Sequence, residues 1–286
     1  MKSHVLITGG TGFIGEYLSR ELMNDGYKVT TISRSKGTND NHICADLTNG
    51  KILIDLAKKL SPIKTIIHCA AIAHGEKTPK NNSVAEFNSL ISNNIIKAFN
   101  GHQLHWIFLS SISVYGELQS EFSIPLIRSP KPFDSYGMGK LHDENLFISK
   151  CKHLEILRLM PVYGSQNLRD IRKRVFLPYT NLKINIQPAP LHSICSLKEV
   201  LNAVKKCMKH KSGKRIIQVG DSQPVSQIDL ANWFPGKSIN VPQLLFKTIV
   251  SILPKKLVLF RKISFMLKKV GLNNIYEVGF IELDSK

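Results

Sequence analysis

Short apolar runs, rich in β-branched residues, recur along the first 160 positions, and each is followed by a stretch whose apolar residues return at helical spacing. Val5–Thr8, Val29–Ile32, Thr65–His68, Trp106–Ser110 and Ile156–Leu159 predict strands. Gly12–Asp25, Ile52–Leu60, Val84–Asn100 and Tyr136–Lys150 predict amphipathic helices between them. Strand and helix alternating at this spacing predict an α/β fold, a doubly wound parallel sheet with helices on both faces. Ile216–Val219 predicts one more strand returning to that sheet after a helix at Leu197–His210.

From about Gly164 the alternation fails, and Pro, Arg and Lys become frequent. The expected division is a dinucleotide-binding domain over residues 1–164, with 193–220 returning to the sheet, and a smaller substrate lobe from 165–192 and 221–286. Such a lobe would lie over the C-terminal ends of the strands, where open α/β sheets bind their ligands.

Composition narrows the class. The 286 residues are 43% apolar, enough for one large core or two unequal lobes, with no composition typical of disorder. A net charge of +18 calls for an anionic partner. No nucleic-acid motif or aromatic-interleaved basic stripe is present, so a nucleotide-linked metabolite or an anionic membrane surface is the better candidate. The five cysteines, odd in number and without CxxC spacing, read as reduced thiols, with no metal and no disulfide framework. The chain runs from Met1 straight into a strand and has no apolar stretch of membrane-spanning length, so a cytoplasmic protein without a signal peptide is expected.

The most informative segment is Ile7–Gly15, ITGGTGFIG. It joins a predicted strand to a predicted helix. Gly9 permits the tight turn, Gly12 the close approach of backbone to phosphate, and Gly15 the packing of helix on strand. With Phe13 and Ile14 these form the cofactor site of a Rossmann-like domain. The second predicted strand ends in Ser33-Arg34, without the acid that would accept bonds from the ribose hydroxyls. NAD or NADP is therefore expected, with Arg34 inclining toward the extra phosphate of NADP. Downstream, Tyr136 and Lys140 stand four apart on a predicted helix and face one ligand together. A phenol near its reference pKa of about 10 is a poor base at neutral pH. A lysine ammonium and a cationic nicotinamide nearby are expected to lower it into the working range.

These segments together resemble the extended short-chain dehydrogenase/reductase family, in its nucleotide-sugar epimerase/dehydratase branch. The resemblance covers most of the chain, and GxxGxxG is that family's glycine spacing. It implies cofactor contacts from Asp46 and Leu47 of Ala45-Asp46-Leu47, from Cys69, Ala70 and Ala71 after His68, from Asn88, and from Pro161 and Val162 in the segment Arg158–Gly164. Leu109–Gly116 resembles the family's SSxxVYG, which implies that Ser111 binds the substrate oxygen beside Tyr136, with Ser113 as a neighbour able to reach substrate. It further implies that Lys140 bonds the nicotinamide ribose. Ser110 reads as a hydroxyl bonding local backbone at a strand end.

For the substrate, the basic run Arg169, Arg172, Lys173 and Arg174 suits a diphosphate, with Arg169 and Arg172 as its ligands, or else forms a solvated face. His74 and His192 are further substrate-contact candidates, His192 standing where the family often has arginine. Pro161 replaces the asparagine usual in UDP-galactose-type epimerases. The HGE at His74–Glu76 and the segment Val219–Ser226 look closer to a polysaccharide-cluster subgroup that includes 4-ketoreductases forming UDP-N-acetylquinovosamine. The implied function is an NAD(P)-dependent oxidoreductase acting at C4 of a UDP-hexose or UDP-N-acetylhexosamine, for surface polysaccharide. The alternatives are a UDP-glucose or UDP-N-acetylglucosamine 4-epimerase and, from another class, a non-catalytic NADP-binding regulator. Ser111-Ile112-Ser113 lacks the Asp-Glu pair of a dehydratase. A homodimer through Val84–Asn100 and Tyr136–Lys150 is implied by the family alone. From Leu230 to Tyr276 the chain has no acid, and lysines and arginines alternate with aliphatic and aromatic residues. Such a stretch suits an anionic membrane surface, although two lid helices packing their apolar faces on the lobe account for it more simply.

Overall fold

The computed structural model describes residues 2–60, 62–72, 83–99, 104–116, 123–210, 213–254 and 257–283. Its centre is an eight-stranded sheet made of β1 (Lys2–Thr8), β2 (Tyr27–Ser33), β3 (His42–Cys44), β4 (Thr65–His68), β5 (His105–Ser111), β6 (His153–Leu159), β11 (Lys214–Val219) and β14 (Gly279–Leu283), in the order β14-β11-β6-β5-β4-β1-β2-β3. All neighbours pair in parallel except β14, which runs antiparallel to β11. The order reverses between β1 and β4, and that switch point is the natural ligand crevice.

Each central strand is nearly all apolar because helices cover both faces. On one face α1 (Phe13–Asn24) and α6 (Leu197–Lys209) bury Leu18, Leu22, Val200 and Val204 against Val5, Ile7 and Ile107. On the other, α2 (Gly50–Lys59), α3 (Val84–Ala98) and α4 (Ser135–Lys150) bury Leu53, Phe87, Ile91, Ile95 and Phe147 against Leu6, Ile66, Phe108 and Ile156. The start of α3 is fixed by a capping box, Ser83 accepting from the Glu86 amide while Glu86 accepts from the Ser83 amide.

The remaining elements lie outside that sheet: β7 (Val162–Tyr163) paired with β10 (Cys195–Ser196), which fall in the stretches expected in the dinucleotide-binding domain, and, in the stretches expected in the lobe, α5 (Arg169–Arg172), β8 (Lys183–Gln187) paired with β13 (Ser238–Pro242), β9 (Leu191–His192) paired with β12 (Val225–Ser226), α7 (Gln227–Asn232), α8 (Gln243–Ile252) and α9 (Val258–Gly271). The last element departs from the sequence reading. Residues 279–283 were expected in the lobe, yet they form β14 at the sheet edge, partly burying Ile281 and Leu283 while Phe280 and Glu282 face out. Among the described residues, no helix is long and apolar enough to cross a membrane, and no cluster of His, Cys, Asp and Glu could hold a metal ion.

Candidate active site

A cavity of about 430 Å³ opens at the C-terminal ends of β1, β4, β5 and β6. Its floor is the glycine turn. Gly9 has φ +73°, and a Cβ there would meet the Ala70 backbone at 2.9 Å. A Cβ on Gly15 would overlap the Gly9 carbonyl, so helix and strand approach as closely as backbone permits. Gly12 caps α1 without any side-chain bond, and Phe13, Ile14 and Gly15 line the cavity behind it. The first amides of a helix have no partner within it, and an uncapped start suits a pyrophosphate. The turn therefore fits the dinucleotide expected from the sequence.

The wall opposite comes from β5 and α4. Asp134 caps α4 by accepting from the Gly137 amide at 2.8 Å, which sets Tyr136 in the first turn and Lys140 one turn on. Both line the cavity. Lys140 is buried, and its Nζ donates to the Leu109 carbonyl at 2.8 Å, 6.0 Å from the centre of the Tyr136 ring. Ser111, the last residue of β5, accepts from the Ser113 amide and donates to the Ser113 hydroxyl, both at 3.1 Å. It also shares a hydrogen bond with Tyr136. Burial pushes the Tyr136 phenol well above its ordinary pKa, Asp170 and Asp134 add to the rise, and the Ser111 bond opposes it. The lowering expected from the sequence requires a cationic nicotinamide beside the phenol, and Lys140 is held here on a backbone carbonyl.

The frame beneath is polar and fully buried. Arg158 on β6 forms a forked pair with Glu144 on α4, Nη2 to Oε2 at 2.7 Å and Nε to Oε1 at 3.0 Å, and donates to the Tyr115 hydroxyl at 2.8 Å. Ser110 donates to Glu144 at 2.6 Å rather than to local backbone. A second chain crosses the sheet: Thr8 Oγ1 lies 2.8 Å from His68 Nδ1, His68 Nε2 lies 3.2 Å from Ser92 Oγ, and Ser92 donates to Asp143 on α4 at 2.9 Å. Directions that satisfy every group make His68 the neutral Nε2–H tautomer. Burial, with Lys140 adding to it, drops its pKa to about 3.

The rim toward the lobe is basic. Arg169, Lys173, Arg174, Lys268 and Lys269 line the cavity with Asp170, Asn274, Phe265 and Tyr276. Lys173 pairs with Asp170 at 2.6 Å, and Arg174 donates to the Asp170 carbonyl at 2.6 Å. Burial pulls Lys269 down to about 8, with Arg174 and Lys173 lowering it further and Asp134 and Asp170 opposing.

The sequence-derived residues divide accordingly. Gly9, Gly12, Phe13, Ile14, Gly15, Cys69, Ala71, Ser111, Ser113, Tyr136, Lys140, Pro161, Val162 and Arg169 converge on the cavity. The Cys69 thiol is pushed up to about 12 by burial, so it lines the cavity as an inert group. Ala70 donates its amide to Thr8, and Asn88 clasps the Ile72 backbone in both directions; they shape the turn after β4 without lining the cavity. Leu47 is core. Asp46 is exposed and accepts from the Thr48 amide. Arg34 is exposed with its guanidinium 5.8 Å from the Phe87 ring, and Ser33 accepts from Thr11 and donates to the Ser35 carbonyl. Arg172 turns away, stacking on Phe176 at 3.8 Å and donating to Asn181. His192 does not line the cavity either: it is buried, 3.4 Å from Asn274 Nδ2, and burial next to Arg174 holds its pKa at about 3, leaving it no charge for a phosphate. His74 lies outside the described residues. Sequence reasoning passed over Lys268 and Lys269 as site residues, because a lysine pair within a basic run looks like a solvated face.

Known proteins resemble this chain in sequence and in fold. A UDP-glucose 4-epimerase of Vibrio cholerae is 25% identical over 250 residues, covering 80% of this chain and 74% of that one. A probable UDP-arabinose 4-epimerase of Arabidopsis thaliana is 27% identical over 187 residues, but the match spans only 44% of the plant protein. In fold, the chain is similar to a Bacillus cereus UDP-glucuronic acid 4-epimerase in complex with UDP-glucuronic acid and NAD, with a TM-score of 0.66 at 21% identity over 84% of this chain and 85% of that one. The Bordetella bronchiseptica enzyme WbmH in complex with NAD+ gives 0.67 at 17% identity, with 84% and 85% covered. Residues 5–188, from the strand before the glycine turn to the end of β8, match the family model described as NAD dependent epimerase/dehydratase. With that match added to a turn built for a dinucleotide, the chain belongs to the NAD dependent epimerase/dehydratase family and is an enzyme of that class.

Proposed function

We propose that this chain is an NAD(P)-dependent oxidoreductase acting at C4 of a UDP-linked hexose or N-acetylhexosamine, as a 4-keto reductase or a 4-epimerase, in surface polysaccharide synthesis. One observation carries the reading: Ser111 and Tyr136 are hydrogen-bonded to each other in the cavity whose two ends are the glycine turn and the basic rim. A bound nicotinamide dinucleotide supplies the hydride donor or acceptor. Tyr136 then passes a proton to or from the sugar oxygen, and Ser111 holds that oxygen by the bond it otherwise makes to Tyr136. Lys140, fixed on the Leu109 carbonyl, sets a positive charge behind the phenol. Arg169, Lys173, Arg174 and Lys269 provide the charge that a diphosphate needs. The second strand ends in Ser33-Arg34 without an acid, which leaves either NAD or NADP admissible.

The Vibrio cholerae relative supports the epimerase outcome. The HGE and Val219–Ser226 segments support the reductase. Homodimerisation across α3 and α4 is supported by the exposure of Leu90 and Met138 on those helices. The deciding experiment incubates the protein with UDP-N-acetylglucosamine or its 4-keto-6-deoxy derivative, with and without NADPH. Stoichiometric loss of NADPH identifies a reductase, and isomerisation without net consumption identifies an epimerase. Tyr136→Phe should lower turnover about 10²- to 10⁴-fold while leaving dinucleotide affinity intact. Unchanged turnover in that variant refutes the proposal.

A further inference from the structure

Helix α8 carries aliphatic residues on two opposite arcs, with Lys247, Thr248 and Ser251 exposed between them. Phe246 and Val250 enter the lobe, packing with Ile184, Ile186 and Val270. On the opposite arc Leu244, Leu245, Ile249 and Ile252 are 47–78% exposed. An exposed aliphatic arc opposite a buried one marks an interaction surface or a face in contact with lipid. This one is neither buried nor paired on its outer face among the described residues. The start of α9 extends the patch, with Val258 and Leu259 exposed by 62% and 59%. The two helices are clamped together at the other end, where the Phe246 ring fills the space a side chain on Gly271 would need. Exposed cations border the aliphatic surface: Lys247 lies on α8, and Lys262 on α9 is one turn beyond Val258 and Leu259.

The charge pattern selects the occupant. The sequence has no acid from Leu230 to Tyr276. A second copy seated on the patch by twofold symmetry would set these cations against their own counterparts, with no carboxylate in the stretch to offset them. We propose that this face docks on an anionic phospholipid surface, the aliphatic side chains entering the headgroup boundary and the lysines meeting the phosphates. The docked face would sit close to the chemistry. α9 runs on from Val258 to Phe265, which lines the catalytic cavity; seven residues of helix span about 10 Å.

Co-sedimentation with vesicles tests this without substrate, and so independently of the catalytic proposal. The full chain should sediment with phosphatidylcholine vesicles carrying roughly a third phosphatidylglycerol at about 0.1 M NaCl, weakly at about 0.5 M, and not with phosphatidylcholine alone. At about fivefold per cation, Lys247→Gln with Lys262→Gln should weaken binding about 25-fold. Leu244→Ser with Ile252→Ser should weaken it at least about tenfold. All four residues are exposed, so unchanged circular dichroism is expected, and if the aliphatic variant fails to fold the lysine variant decides alone. Absence of binding to anionic vesicles overturns the proposal, as does equal binding by the lysine variant. Self-association that these substitutions abolish, without vesicle binding, overturns it in favour of a second copy. Binding only to an acidic protein overturns it in favour of that partner.

Discussion

Lys269 offers a quantitative handle on the basic rim. Its pKa of about 8 in the free protein means that the cavity gains or loses one positive charge just above neutrality. At pH 7 about nine-tenths of the molecules carry that charge, and at pH 9 about one-tenth. A diphosphate bound beside it stabilises the ammonium and raises its pKa in the complex. The sign follows: affinity for a nucleotide sugar is full below about pH 8 and falls as pH rises through that value. If the complex keeps Lys269 charged throughout, the dissociation constant should rise about tenfold from pH 7 to 9, or about 1.4 kcal/mol. Isothermal titration of the NAD-loaded protein with a UDP-hexose at closely spaced pH values measures the curve. Lys269→Gln should bind more weakly at pH 7 and lose most of the slope, and the difference between the two curves isolates this group from titrations of the ligand. Equal slopes in the two proteins would show that Lys269 does not meet the phosphates.

Three further outcomes follow from the frame. Arg158→Met leaves Glu144 buried with Ser110 as its remaining side-chain donor, and removing one member of such a pair should cost about 3–5 kcal/mol and lower Tm by roughly 10 °C; a shift under about 2 °C by calorimetry would contradict the burial argument. Gly15→Ala places a methyl against the Gly9 carbonyl, so dinucleotide affinity, read by fluorescence titration, should fall at least about tenfold, and retained affinity would mean that the turn is not the cofactor floor. His68 and His192 both have folded pKa values of about 3, below the ordinary 6.5, so their contribution to stability is present above about pH 6.5 and is lost as pH falls toward 3. At pH 5 each should cost about 2 kcal/mol in urea unfolding, and stability independent of pH between 7 and 5 would refute this.

The sheet was legible because its strands are apolar on both faces and its helices are not. Val5–Thr8, Thr65–His68 and Trp106–Ser110 stand out against the helical spacing of Gly12–Asp25 and Val84–Asn100, and the structure moves those boundaries by only a few residues. The edges were harder to see. β3 is three residues long and half exposed, and β14 shows only a weak alternation that a lobe segment would share. In the site, what was legible was whatever local geometry fixes: a glycine where φ is positive, a phenol and an amine one turn apart. Which of Arg172 and Arg174 faces the cavity depends on the phase of a four-residue helix, and Lys269 turns inward only because α9 folds back over the strand ends. His192 was a substrate-contact candidate because it stands where the related motif often has arginine, but its environment excludes charge. The fate of such residues is decided by tertiary packing, which spacing does not encode.

The relay from Thr8 through His68 and Ser92 to Asp143 ties β1, which leads into the glycine turn, and β4 to α3 and to α4, which carries Tyr136 and Lys140. The turn and α4 are thus a single rigid casting, and an alteration in either is transmitted to the other. The basic groups that line the cavity from α5 and α9 are outside that casting. On the proposed function, new substrate preference can accordingly be grafted onto those two helices while the glycine turn and α4 stay as they are.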